Sequence, residues 1–148
     1  MWRLSLMKKQ FALALFVGAL SFNVSADHHA VSFEARQASS ELDVTSIAIS
    51  DASTTITAEG TMGEYGKVYV TYVLHYDSAT SGTVTGQGRG FVDEDTVASG
   101  KFAGIWKREG SLLTIRTMVN INDGTINMDV ITMDGRGDTL THDVYAVE

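Results

Sequence analysis

Hydrophobic and polar residues alternate along most of the chain from Asp43 onward, with a period of two residues. This period is typical of β-strands with one buried face, because successive side chains of a strand point to opposite sides of the sheet. The clearest run is Lys67–Tyr76, which is rich in β-branched and aromatic residues. The pattern predicts further strands at Val44–Ser50, Thr54–Gly60, Thr83–Val92, Gly100–Arg108, Ser111–Ile121, Thr125–Met133 and Thr139–Val147.

Short turn sequences separate these runs and predict hairpins. Asp-Gly occurs in the connections Asn122-Asp123-Gly124 and Asp134–Asp138, and between alternating runs it is a strong hairpin signal. About eight strands in this order, with almost no helix, favour an all-β fold: a single antiparallel up-and-down β-barrel, which hides its apolar face and has no free edges. We expect the barrel to occupy residues 27–148. Residues 27–42 form a poorly defined N-terminal arm with a strand at Val31–Ala35, followed by a short helix or loop.

An outer-membrane barrel, with its apolar face turned to lipid, is the rival architecture. Such barrels carry aromatic girdles at both membrane interfaces and usually have long loops on one side. Here aromatic residues make up 9% of the chain, and the later predicted connections are short on both sides. We therefore favour a soluble barrel.

The first 26 residues predict a cleaved signal peptide. Three basic residues precede the ten-residue apolar run Phe11–Leu20, and Val24-Ser25-Ala26 provides small residues at a cleavage site. The run is too short to span a bilayer, although an uncleaved anchor is the alternative. We expect a secreted or periplasmic mature chain, Asp27–Glu148, without stable membrane insertion.

Composition and charge exclude several classes of function. The chain of 148 residues has a formal net charge of −7, and the mature chain is more acidic because Arg3, Lys8 and Lys9 are lost with the signal. This charge argues against a nucleic-acid partner and against adsorption to anionic membranes. The chain has no cysteine, which excludes disulfides, thiolate nucleophiles and cysteine-ligated metal clusters. We expect no cofactor, and the oligomeric state stays open.

Cleavage after Ala26 would create a candidate metal site at the new N-terminus, Asp27-His28-His29. The free amine, two amide nitrogens and the imidazole of His29 form a square-planar set of four nitrogens, a geometry that suits Cu(II) or Ni(II). The alternative is a frayed terminus with His28 and His29 solvated.

Polar residues in the middle of predicted strands are the second candidate site: Arg116, Asn127, Asp129, His75 and His142. His142 shares a strand face with Leu140 and Val144, which places it toward the lumen. A lumen histidine beside a carboxylate could act as an acid or base near neutral pH. The favoured alternative makes Arg116 and Asp129 cross-strand partners on the solvent face.

Aromatic residues are the third candidate set, either lining a cavity for an apolar ligand or packing a filled core. With Arg116 and His142 they make up the predicted ligand-binding residues: Tyr65, Tyr69, Tyr72, Phe91, Phe102 and Trp106. Nearby, Gly86, Gly88 and Gly90 alternate along one predicted strand. Such a pattern indicates strand bending, or a flat patch that a ring can cover.

The glycine-rich strand Thr85–Gly90, followed by Gly100–Trp106 in the form G-x-x-x-G-x-W, resembles the middle of small secreted barrels. The group in question comprises the allene oxide cyclase, dirigent and lipocalin-like proteins, and the resemblance covers Gly60–Val147. It implies a closed antiparallel barrel with an apolar cavity. Members of the group include an isomerising cyclase, proteins that guide coupling reactions and ligand carriers. No catalytic motif of the group carries over to residues of this chain.

Three functions follow as hypotheses, and each predicts a different barrel interior. The leading one is the binding of a small apolar or amphipathic ligand, which predicts an open cavity without a paired acid and base. An enzyme of the cyclase or isomerase kind predicts His142 or His75 within hydrogen-bond reach of a carboxylate inside the cavity. A structural or protein-binding module predicts a filled core and an exposed apolar patch.

Overall fold

The computed structural model describes residues 31–147, so the predicted signal peptide and the candidate ligands His28 and His29 lie outside the described residues. No helix in that range is long and apolar enough to cross a membrane. The range contains one turn of 3-10 helix at Gly63–Tyr65 and nine strands: β1 (Phe33–Ala35), β2 (Ser40–Ile49), β3 (Ser53–Thr61), β4 (Lys67–Tyr76), β5 (Ser81–Phe91), β6 (Val97–Glu109), β7 (Leu112–Ile121), β8 (Ile126–Asp134) and β9 (Thr139–Val147).

Eight of these strands, β2 to β9, form a closed antiparallel barrel. Each pairs with the next along the chain, and β9 also pairs with β2, so that Ser40 stands opposite His142 and Asp43 opposite Thr139. The all-β class and the up-and-down barrel predicted from the alternation are therefore confirmed.

The N-terminal arm lies along the barrel wall. β1 pairs with the end of β9 and β2 with its start, so both follow one edge of that strand. Five positions separate Ala35 from Ser40, whereas three separate their partners Tyr145 and His142, so the segment between β1 and β2 bulges out of the ladder. The strand predicted to begin at Val44 therefore begins earlier, at Ser40.

Alternation assigns the inward and outward faces correctly on the central strands. The inward residues of β4 and β7 are buried and form much of the core: Val68, Val70, Tyr72, Leu74, Leu113, Ile115, Val119 and Ile121. Each fully buried aliphatic side chain contributes about 1.5–3 kcal/mol relative to an exposed one. These side chains pack together as the apolar core of the barrel.

β5 and β6 carry glycine where other strands point large side chains inward. Gly86 stands between Tyr72 of β4 and Phe102 of β6, and an added Cβ there would overlap the Phe102 ring. At Gly82 an added Cβ would lie 2.8 Å from Nε1 of Trp106. The Phe102 ring thus covers Gly86, one of the three alternating glycines, whereas Gly88 faces only the carbonyl oxygen of Tyr69 and the side chain of Val70.

Candidate functional site

The barrel lumen contains two cavities that share no lining residue. Tyr72 is fully buried between them, and its ring centroid lies 5.3 Å from that of Phe102. The cavity beside the β2–β3 and β4–β5 turns is called the cup. The cavity beside the 3-10 helix is called the polar chamber.

The cup is an open, largely apolar cavity of about 660 Å³. Its volume falls within the range of about 300–1,000 Å³ that is usual for small-molecule sites. Buried residues form its floor and more exposed residues form its rim. Together the lining residues are Ile47, Ile49, Asp51, Thr54, Ile56, Leu74, Tyr76, Ser78, Ala79, Trp106, Arg108, Ser111, Leu113, Met133 and Gly135. The indole of Trp106 is held in place because its Nε1 donates to the carbonyl oxygen of His75 at 2.9 Å.

A bulge in β2 directs two isoleucines into the cup. The register with β3 shifts between Val44 and Ser46, so the extra residue moves Ile47 and Ile49 to the inward face. The pairing of β2 with β9 does not continue past Asp43, and beyond it the β2–β3 hairpin extends past the closed wall. Ile47 and Ile49 are consequently 46% and 78% exposed although they point inward.

The polar chamber contains a buried histidine–carboxylate pair. His142 on β9 and Asp129 on β8 are inward-facing diagonal neighbours, and Nε2 of His142 lies 2.6 Å from Oδ2 of Asp129. The favoured sequence interpretation, a solvent-face pair of Arg116 and Asp129, is therefore wrong. Thr117 stands opposite Asp129, and Arg116 is exposed on the outer face. Asp129 shares its strand face with two buried residues, Asn127 and Ile131.

Tyr72 fixes the orientation of His142 from the other side, with its hydroxyl 2.9 Å from Nδ1. Burial, and then the charge of Asp129, raises the pKa of Tyr72 well above its ordinary value. Tyr72 therefore stays a phenol. In the tautomer of His142 that carries its proton on Nε2, the Tyr72 hydroxyl donates a hydrogen bond to Nδ1 and Nε2 donates one to Oδ2 of Asp129.

The second carboxylate oxygen of Asp129, Oδ1, is buried and has no hydrogen-bond partner among residues 31–147. Asp129 lines the polar chamber, whose volume is about 60 Å³. Because one water needs about 10–15 Å³, the chamber has room for about four to six waters or a small organic molecule.

A chain of hydrogen bonds links Arg36 to two residues that line the polar chamber, Asn127 and Tyr65. Nε of Arg36 donates to Oδ1 of Asn127 at 2.7 Å, and Nδ2 of Asn127 donates to the Tyr65 hydroxyl oxygen at 2.8 Å. Burial raises the pKa of Tyr65, and the bond from Asn127 opposes the shift. The Tyr65 hydroxyl keeps its own proton to donate. No sequence pattern pointed to Arg36, which comes from the bulged segment between β1 and β2.

The eight predicted ligand-binding residues divide between the lumen and the outer surface. Tyr65, Phe102 and His142 line the polar chamber, Trp106 lines the cup, and Tyr72 lies between the two cavities. The other three have the opposite strand parity and are exposed on the outer face, so a ligand in the lumen does not contact them: Tyr69, Phe91 and Arg116. His75 is also exposed on that face.

Raising the pH above about 10 is expected to destabilise the wild-type protein more steeply than Tyr72→Phe. The unfolded chain loses the tyrosine proton near its ordinary pKa of 10.0, whereas the folded protein retains it, so deprotonation favours unfolding as the pH rises. The difference in slope approaches about 1.4 kcal/mol per pH unit, the value for one proton. Urea unfolding from about pH 8 to about pH 11 measures it. Parallel stability curves would contradict this assignment.

Within residues 31–147, no group of three or more histidine, cysteine, aspartate or glutamate residues is arranged to hold a metal ion. Comparisons of the chain with protein-family models, with curated proteins and with solved structures give no match.

Proposed function

We propose that the protein binds a small apolar or amphipathic molecule in the cup. The observation that carries the proposal is the exposure of Ile47 and Ile49 at inward-facing positions above a cavity of about 660 Å³. Apolar side chains that face a cavity and remain in contact with water gain free energy when a ligand covers them. Complete burial of one such side chain contributes about 1.5–3 kcal/mol.

The rim of the cup favours an amphipathic ligand with a polar or anionic head. The guanidinium of Arg108 is held by the carbonyl oxygens of Ala79 at 2.9 Å and Gly110 at 2.7 Å. A cation fixed in this way loses little side-chain entropy when it pairs with an anion. A bound molecule would place its apolar part on Trp106 and Leu74 and its head near Arg108.

The open cup favours ligand binding over a purely structural role, because the structural hypothesis predicts a filled core. The sequence features of residues 1–26 support export to the periplasm or the extracellular space as part of this proposal. The apolar core inside the barrel favours a barrel in water over one that turns its apolar face to lipid.

Ile47→Asp is expected to weaken binding of the anionic amphipathic dye 1-anilinonaphthalene-8-sulfonate by about tenfold or more, because each 1.4 kcal/mol of lost contact is tenfold in Kd. The dye titration is followed by energy transfer from Trp106, in a Trp2→Phe background that leaves it the only tryptophan. The matched control is Ile126→Asp, because Ile126 is 49% exposed but faces outward.

The control variant is expected to bind with a Kd within about twofold of wild type, since surface changes usually have small effects. Equal weakening by both variants would contradict binding in the cup. Dye fluorescence without energy transfer from Trp106 would also contradict it.

A further inference from the structure

The polar chamber has one unpartnered acceptor and one hydroxyl donor within mainly apolar walls. The acceptor is Oδ1 of Asp129, which is buried and unpartnered among the described residues. The donor is the Tyr65 hydroxyl, whose oxygen already accepts from Asn127. The walls include Val68, Val70, Phe102, Val119 and Ile121. Among the described residues, no buried polar atom without a hydrogen-bond partner lines the cup, so the unpartnered oxygen distinguishes the chamber.

Asp129, which carries the acceptor, and Asn127, which is bonded to the donor, occupy neighbouring inward positions of β8. Asn127 and Asp129 are two residues apart on the same face of β8, which separates them by about 7 Å. Tyr65 is hydrogen-bonded to Asn127 at 2.8 Å. A small carbonyl compound that contacts both the Asp129 carboxylate and the Tyr65 hydroxyl would span these two neighbouring positions.

We propose that the polar chamber catalyses proton transfer next to the carbonyl group of a small carbonyl compound, with Asp129 as the base. Oδ1 of Asp129 takes a proton from the carbon beside the carbonyl. The electron pair of the broken C–H bond forms a carbon–carbon double bond, and the carbonyl π pair moves to oxygen. The Tyr65 hydroxyl donates a hydrogen bond to that oxygen, where negative charge develops.

The reaction finishes when Asp129 returns the proton to carbon. In a β,γ-unsaturated ketone, return to the γ-carbon gives the conjugated isomer. The reaction is an isomerisation in which nothing is oxidised or reduced, so it needs no co-reactant. The activity is separate from the ligand binding proposed for the cup.

His142 and Tyr72 act as positioning residues in this scheme. Nε2 of His142 holds Oδ2 of Asp129 at 2.6 Å, and this leaves Oδ1 as the free oxygen. Tyr72 in turn holds His142 at 2.9 Å. This hydrogen bond fixes the orientation of the Asp129 carboxylate.

The test uses the full chain with 3-cyclopentenone, a six-heavy-atom ketone, and follows the ultraviolet absorption of its conjugated isomer. Exchange of the α-hydrogens of cyclopentanone in D₂O, followed by proton NMR, reports the first step alone. We expect wild-type turnover in both assays. Asp129→Asn, which can still accept from His142, should lower kcat by about 100-fold or more. Tyr65→Phe should lower kcat by about 100-fold.

Matched controls make the same chemical changes on the outer face. Asp143→Asn on β9 and Tyr69→Phe on β4 should leave kcat within about twofold of wild type. His142→Gln, whose amide can still donate to Asp129, should lower kcat less than Asp129→Asn and leave KM nearly unchanged. Ile47→Asp in the cup should leave both assays unchanged, which separates this proposal from the first.

Two outcomes would overturn the proposal. One is the absence of both isomerisation and α-exchange with wild-type protein whose circular dichroism and thermal unfolding show a folded barrel. The other is activity that Asp129→Asn and Asp143→Asn reduce equally, because a base in the chamber requires only the first to act.

Discussion

Gly86→Ala is expected to lower the free energy of unfolding by about 3 kcal/mol, at the upper end of the usual cost of overpacking. The added Cβ would overlap the carbonyl oxygen of Thr71 on β4 and the ring of Phe102 on β6. The ring can turn only within a packed core, and the carbonyl belongs to a paired strand. Relief therefore requires β4 and β5 to separate locally.

Gly88→Ala provides the control on the same strand and the same face. Its added Cβ would lie 3.5 Å from the carbonyl oxygen of Tyr69 and 3.7 Å from the side chain of Val70, which are ordinary contacts. Alanine also lowers the conformational entropy of the unfolded chain. The free energy of unfolding of this variant should therefore equal that of wild type or exceed it by up to about 1 kcal/mol. Urea unfolding compares the pair. Equal losses of unfolding free energy at the two positions would show that overlap with the Phe102 ring is not the cause.

His142→Leu is expected to cost about 3–5 kcal/mol, the usual penalty for removing one partner of a buried ionic or strongly hydrogen-bonded pair. The variant leaves both oxygens of Asp129 buried without a donor and deprives the Tyr72 hydroxyl of its acceptor. The volume of leucine is close to that of histidine, so cavity formation contributes little. Unfolding in urea at pH 7 measures the loss.

A double-mutant cycle separates the pair from the packing. Asp129→Leu combined with His142→Leu should be more stable than the sum of the single losses predicts, because replacing both partners removes the unpaired charge. We expect a coupling of about 1–3 kcal/mol. Losses that simply add would mean that the two side chains do not stabilise each other.

Alternation alone predicted the barrel and most of its inward faces, because each central strand packs one face on the core. The same reasoning placed His142 in the lumen with Leu140 and Val144, and all three are buried. It also contained the correct position of Asp129, since Asp129 shares its face with Ile131. The predicted solvent-face pair of Arg116 and Asp129 is inconsistent with that shared face.

Other parts of the site depend on features that alternation does not report. The bulge in β2 reverses the faces of Ile47 and Ile49, and a single inserted position leaves no separate mark in the sequence. Arg36 reaches Asn127 from the bulged segment between β1 and β2, a contact between residues distant in the chain. Aromatic character alone grouped Tyr69 and Phe91 with the lumen residues, whereas strand parity puts them outside.

The position of β9 determines when the barrel can be completed. This strand pairs with β8, β2 and β1, and its contacts with β1 and β2 join residues that are far apart in the chain, such as Ser40 and His142. Until β9 has been synthesised, β2 and β8 both have open edges. Closing so long a loop makes folding slow relative to proteins with local contacts. During ribosomal synthesis the barrel therefore stays open until β9 has emerged.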